Sequence, residues 1–324
     1  MTENKEYFIK ISKDLLDMVD ETKEYQLQLV ATLIYLTKNH YELYGDSYVY
    51  TTPSLLIKQF GNYSNINEKS MERQRPKIID ALLDLRDIGL ISFSCEVDKN
   101  GKEKKPTFKE ELYINTKTLL ELANKEPFVK LDVEMFLDIM QDKKLITVNN
   151  EQLQKNAVES YLLWMYCSVA SEWNVKNMAK LKEYDGEVSC HIDSKENNEL
   201  SELKFVFCNA SIDVLRSRKH QQLELDSNWC GDDYAFAYIN KLIELGCIRV
   251  IKRRVKTNEG WRDMNFYYSP MFGYDDMLVM VRQWASRKRY AIKERDKAEQ
   301  PTQPIEPKKT SRVNRGKDKP WFKD

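Results

Sequence analysis

The sequence lacks most of the signatures that fixed-site chemistry uses. Its ten glycines fall in neither G-x-x-x-x-G-K-[ST] nor G-x-G-x-x-G, which removes the phosphate-cradling loops of the P-loop and dinucleotide folds. The six cysteines (Cys95, Cys167, Cys190, Cys208, Cys230, Cys247) contain no C-x-x-C pair, and His40, His191 and His220 contain no His-x-His pair. Zinc and iron–sulfur spacings are therefore missing, as is the histidine pair that a tyrosine nickase of the rolling-circle type needs. Cys167 and Cys247 lie inside apolar runs and read as small core residues in a reducing compartment. Cys190-His191 is too small a cluster for a metal site. Asp232-Asp233 and Asp275-Asp276 fit helix caps better than a two-metal nuclease. No enzyme activity, cofactor or metal is expected.

Long apolar runs are also missing. The longest, Tyr161 to Ala170, is broken by Ser168 and falls far below the ~20 residues a bilayer crossing needs. The first 25 residues are rich in Lys, Asp and Glu and have no signal-peptide apolar region. These features predict a cytoplasmic protein without a membrane partner. Net charge is absent as well, with 51 Lys+Arg against 51 Asp+Glu, yet its distribution is uneven. From Arg282 to Asp324 there are 14 Lys/Arg against 6 Asp/Glu, so a tail of +8 follows a body of −8.

What is present is enough apolar mass, 42% of 324 residues, for about two domains, and an internal repeat that organises them. An offset of 157 aligns residues 48–93 with 205–250 without a gap. Tyr48-Val49-Tyr50 meets Phe205-Val206-Phe207, and Leu82, Leu85, Ile88, Gly89 and Ile91 meet Ile239, Leu242, Leu245, Gly246 and Ile248. Upstream, Phe8-Ile9-Lys10-Ile11 matches Phe128-Val129-Lys130-Leu131 at an offset of 120. The extra residues of the second copy are expected as an inserted hairpin near 184–204.

Each copy reads as a short strand, a long helix (near 26–39 and 157–173), a second short strand, two helices and a hairpin. In copy one the second strand is 48–50, a helix opens at Thr52-Pro53-Ser54, and a third helix ends at Gly89. Pro76 favours a start of that helix at position 76. Strand 90–95, a turn at Asp98-Lys99-Asn100-Gly101-Lys102 and strand 108–114 follow. In copy two the strand is 205–208, the helices are 211–219 and 232–245, and the hairpin strands are 248–255 and 265–268 around Asn258-Glu259-Gly260. This order is that of a winged helix-turn-helix.

The expected fold is thus mainly α with small β-hairpins (α+β): a first winged-helix domain over 1–123, a second over 124–273, a C-terminal helix over 274–297 with Asp275 as cap and Met277, Val281 and Trp284 on one side, and a disordered basic tail over 298–324.

Charge at matched positions separates the copies. The third-helix region of copy one reads Lys69-Ser70-Met71-Glu72-Arg73-Gln74-Arg75-Pro76-Lys77, rich in Arg and Gln that contact guanine and adenine edges bidentately. Where Arg73, Arg75 and Lys77 stand, copy two has Cys230, Asp232 and Tyr234, poor neighbours for phosphate. The hairpins reverse this: Lys252, Arg253, Arg254 and Lys256 in copy two match Cys95, Glu96, Val97 and Lys99 in copy one, which has Lys102, Lys104 and Lys105 at its tip. The resulting expectation is that copy one reads bases with its third helix while copy two holds phosphates with its hairpin. Arg216, Arg218 and Lys219 are further DNA candidates. Trp321 and Phe322 end an otherwise polar tail and are expected to dock on a partner protein.

The paired strand, long helix, helix-turn-helix, Leu-x-x-Ile-Gly-Leu-Ile and wing of residues 82–93, echoed at 239–250, resemble the tandem winged-helix initiators of theta-replicating plasmids and phages of low-GC Gram-positive type, over roughly residues 7–270. The resemblance implies a protein that binds origin repeats in double-stranded DNA, can form a homodimer, and recruits a host helicase or its loader, here through the tail. In the plasmid family the first domain often serves dimer contacts and the second strong DNA binding, whereas here the basic third helix is in the first copy. A weaker resemblance is to DnaD-like primosome, helicase-loading proteins. A winged-helix transcription regulator is the third reading.

Overall fold

The computed structural model describes residues 8–20, 24–44, 47–58, 68–142, 145–154, 157–171, 173, 207–219, 226–228 and 230–293. Among them the chain is a mixed α/β structure of ten helices and small antiparallel sheets. None of the described helices is long and apolar enough to cross a membrane.

The first half contains β1 (Phe8–Ser12), α1 (Lys13–Met18), α2 (Gln26–Tyr44), β2 (Tyr48–Thr51), α3 (Pro53–Lys58), α4 (Glu68–Asp87), β3 (Leu112–Asn115) and α5 (Lys117–Ala123). The second half begins with β4 (Phe128–Asp132), α6 (Val133–Gln141), the hairpin β5 (Leu145–Val148) and β6 (Glu151–Gln154), and α7 (Val158–Ala170). It continues with β7 (Phe207–Cys208), α8 (Ile212–Arg216), β8 (Ser217–Lys219), β9 (Asp226–Asn228) and α9 (Asp232–Glu244). The hairpin β10 (Arg249–Thr257) and β11 (Gly260–Tyr268), α10 (Tyr274–Arg287) and β12 (Ala291–Lys293) complete it.

The 157-residue offset is visible as matched geometry. Gly89 and Gly246 both take the left-handed conformation, at φ +77° and +73°, where a side chain costs ~1–2 kcal/mol. Each closes a helix the same way. Leu90 N donates to Leu85 O at 3.0 Å and Cys247 N to Leu242 O at 2.9 Å; Gly89 N donates to Arg86 O at 2.9 Å and Gly246 N to Ile243 O at 3.0 Å. These are the paired bonds that satisfy the last helix carbonyls and turn the chain away.

The 120-residue offset has a different consequence. β1 and β4, the matched strands, pair with each other antiparallel, with Lys10 opposite Lys130. The pairing is therefore two-fold about the equivalent Lys10 and Lys130, with Ile9 opposite Leu131 and Ile11 opposite Val129. Lys10 lies 4.7 Å over the Phe128 ring and Lys130 lies 4.4 Å over the Phe8 ring. The matched residues Ser12 and Asp132 cap the helices that follow, accepting from Leu15 N at 3.0 Å and Glu134 N at 2.8 Å.

α2 and α7, the long helices of the two copies, pack on each other. Both are buried on nearly all sides over Leu27 to Ile34 and Val158 to Ala170, as central helices are. One apolar core runs from Ile9 to Tyr267 and takes in Cys167 and Cys247. Within it Lys241 of α9 meets Asp142 at 2.9 Å, both side chains 9% exposed. A second, smaller core lies between the sheet β12-β10-β11-β7 and α10, where Val255, Phe266, Met277, Val281 and Trp284 meet.

Several sequence expectations are corrected. The third helix of copy one begins at Glu68, with Pro76 inside it. Tertiary contacts hold its first half in place: Gln74 accepts from Tyr25 Oη at 3.2 Å, and Arg75 lies 5.5 Å from the Phe108 ring. The copy-one hairpin turns at 98–102, where Asp98 accepts from Asn100 N and Lys102 N, both at 2.8 Å. Its strands reduce to isolated bridges, Val97 to Glu103 and Ser92 to Asn115. Pro106 has no N–H for a ladder, a turn closes from Thr107 to Glu110, and the return strand pairs instead with β2. The helix expected over 211–219 stops at Arg216, and Ser217–Lys219 pairs with Asp226–Asn228. Gly273, not Asp275, is the N-cap of α10; Asp275 and Asp276 occupy its first turn, and a Cβ on Gly273 would meet Asp276 Oδ2 at 2.8 Å. The insertion near 184–204 and the tail over 298–324 lie outside the described residues.

Candidate nucleic-acid interface

Ion pairing sorts the cations that composition alone treats as equal. In the first half Lys77 meets Glu24 at 2.9 Å, Lys105 meets Asp80 at 2.7 Å, and Lys104 meets Glu96 at 3.6 Å. The hydrogen bond that Lys105 donates to Asp80, with the field of that carboxylate, raises the Lys105 pKa. Glu24, Asp80, Asp84 and Asp87 line a groove along α4 with Lys77 and Lys105, so this side of the helix carries the wrong sign for phosphate. Gln74, 6% exposed and bonded to Tyr25, is turned into the body and away from any base edge. Arg75 is half-buried against Phe108. Arg73 and Lys102 are exposed, and neither side chain has a partner among the described residues. Lys69 lies in α4, but its side chain is outside the described set.

Arg216 is likewise engaged. It meets Asp213 and Asp232, each at 2.7 Å, and the Asp213 hydrogen bond leads the contributions that raise its pKa. Its role is to tie α8 to the start of α9. Asp233 in the same turn accepts from Asn149 Nδ2 at 3.0 Å. Arg218 and Lys219 lie on β8 with side chains outside the described set, and Trp321 and Phe322 lie outside it altogether.

The hairpin β10–β11 differs. Residues alternate between its faces and directly opposed residues share one. One face holds Ile251, Arg253 and Val255, and it is covered by α10: Arg253 donates to Tyr274 Oη at 2.8 Å and to its neighbour's carbonyl, Lys252 O, also at 2.8 Å. Arg253 thus pins the hairpin to the helix. The other face starts buried at Val250 and Tyr267, opposite each other, and runs out into solvent as Lys252, Arg254 and Lys256. Across from these stand Asn265, Asp263 and Trp261. β12 extends the face on the far side, setting Lys293 directly opposite Arg254. Arg254, Lys256 and Lys293 are exposed and have no ion-pair partner among the described residues.

The structure therefore brings Lys252, Arg254 and Lys256 together on one outer face and adds two residues the sequence reading passed over. Lys293 was submerged in the count of a basic tail, and its strand pairing gives it a place. Trp261 is 45% exposed; a large aromatic at an outward position of a polar hairpin was the available signal. No protein-family model, curated protein or solved structure matches the chain.

Proposed function

We propose that this chain is a sequence-specific double-stranded DNA-binding protein of two winged helix-turn-helix modules, acting as a plasmid or phage replication initiator. Two copies of a helix and helix order with matched helix ends, followed in copy two by the hairpin β10–β11, support the modular part. The observation that carries DNA binding is the outer face of β10, β11 and β12, where Arg254, Lys256 and Lys293 stand exposed and unpaired among the described residues. A polyanion supplies counter-charge to these three cations beyond what Asp263, the one carboxylate of these strands on that face, provides.

In this reading the copy-two hairpin holds the backbone, and α4 contributes base contacts through Arg73, aided by Arg75, without Gln74 or Lys77. The origin-binding role, a host helicase or loader as partner, recruitment through Trp321 and Phe322, and a homodimer rest on the family resemblance. The test is selection of bound duplexes by the full chain from a random pool and from the DNA encoding it, at about physiological salt. Directly repeated sites beside the gene support the initiator. A palindrome at a promoter replaces it with a transcription regulator. The short list of base-reading side chains favours, as second reading, a DnaD-like loader that other proteins bring to DNA; binding without a sequence motif supports it.

A further inference from the structure

We infer that the outer face of β10, β11 and β12 is a site for single-stranded nucleic acid, in which Trp261 stacks on an exposed base while Arg254, Lys256 and Lys293 hold the adjoining phosphates. The inference rests on the proposed DNA binding and adds to it a preference for an opened strand.

The first argument is electrostatic. Arg254 and Lys293 are directly opposed in the sheet, and like charges in that position destabilise a strand pair. Lys256 follows on the same face one pleat beyond Arg254, and Lys252 one pleat before it. The only carboxylate in these strands on that face is Asp263, opposite Arg254. An anion lying along the row relieves the repulsion. Alternate residues on a strand are spaced by ~6.8 Å, comparable with the step between neighbouring phosphates of an extended strand.

The second argument concerns Trp261, which is opposite Lys256 and 45% exposed. It is absent from both apolar cores, so packing gives no reason for an indole there. A flat indole beside a row of cations is the combination that single-strand sites use, because every unpaired base has a π-face to stack while the cations follow the backbone. Inside a duplex those π-faces are covered by neighbouring pairs, and only base edges are offered to a groove-bound side chain. The face therefore complements an opened strand more completely than a closed one.

The experiment uses the full chain with two fluorescent probes, an oligo(dT) strand and a random-sequence duplex of the same length, about 20 nucleotides. Trp261→Ala is expected to weaken oligo(dT) binding about tenfold, within the range for loss of a stacked aromatic, and to change duplex affinity by less than about twofold. Trp261→Phe is expected to recover most of the oligo(dT) affinity, which excludes misfolding as the cause. Lys293→Ala is expected to lower the salt slope for oligo(dT) by ~0.7. If Trp261→Ala leaves oligo(dT) binding unchanged, or weakens both probes equally, the single-strand site is overturned while the duplex reading stands. If the unaltered chain binds neither probe, both are overturned.

Discussion

Two triple variants put the distinction between paired and unpaired cations to a quantitative test. Arg254→Ala/Lys256→Ala/Lys293→Ala removes three charges without partners among the described residues. Lys77→Ala/Lys104→Ala/Lys105→Ala removes three that face Glu24, Glu96 and Asp80 at 2.9, 3.6 and 2.7 Å. Both variants change net charge equally, so a long-range effect of total charge treats them alike. Local contact does not. Each phosphate contact contributes ~0.9 to the slope of log affinity against log salt, so the first variant should flatten the slope for duplex DNA by ~2.7. Between about 50 and 200 mM salt, that difference makes the unaltered chain lose about 40-fold more affinity than the variant.

The second variant should flatten the slope by less than ~1, because each of its lysines must leave a carboxylate exposed beside the phosphate it approaches. Exposed ion pairs contribute ~0–1 kcal/mol each, so both proteins remain folded, which urea denaturation checks. Fluorescence anisotropy across a salt series gives the slopes. Equal flattening by the two variants would falsify the assignment of the hairpin face, since pairing would then have no bearing on which cations meet DNA.

The legible and illegible parts of this molecule divide along sequence distance. Gly89 and Gly246 declared helix ends because the left-handed conformation is a local property, and the buried faces of α2 and α7 followed from apolar spacing within one helix. The copy-two hairpin, centred on Asn258 and Glu259, also lay within one stretch. By contrast, the partner of Lys77 is 53 residues away and that of Lys105 is 25 away. No window of sequence shows that these lysines are already neutralised. Gln74 looked like a base reader by residue type and was claimed by Tyr25, 49 residues distant. The same contact, with Arg75 on Phe108, carries the helix through Pro76 against its local signal. The pairing of β1 with β4 was hidden in plain view: the 120-residue offset identified the strands as equivalent, but equivalence does not say that copies pair.

Three further outcomes test the fold beneath the interface. Gly89→Ala and Gly246→Ala should each cost ~1–2 kcal/mol by denaturant midpoint, and by similar amounts, because a Cβ at either meets nothing within 4 Å; a cost confined to one would break the equivalence of the helix ends. Gln74→Ala should lower stability by ~1–2 kcal/mol through the lost bond to buried Tyr25 while leaving DNA specificity intact in the duplex selection. Loss of specificity at normal stability would return Gln74 to the base-reading set. Lys241→Met should cost ~3–5 kcal/mol, because it strands the buried carboxylate of Asp142, whose Oδ2 has no hydrogen-bond partner among the described residues. Burial works against the Lys241 charge, but the hydrogen bonds and fields of Asp142 and Glu244 outweigh it, so its pKa lies above the ordinary lysine value. A raised folded pKa means that the pair's stabilisation is fully present below the unfolded value of ~10.4 and fades as pH rises through the folded one. Stability of the unaltered chain should therefore hold across neutral pH with respect to this pair and weaken only in strong alkali. Lys241→Met/Asp142→Leu should recover most of the loss, since replacing both partners removes the stranded charge. A double variant no more stable than Lys241→Met alone would mean that the cost lies in lost packing of the lysine stem rather than in the carboxylate left behind.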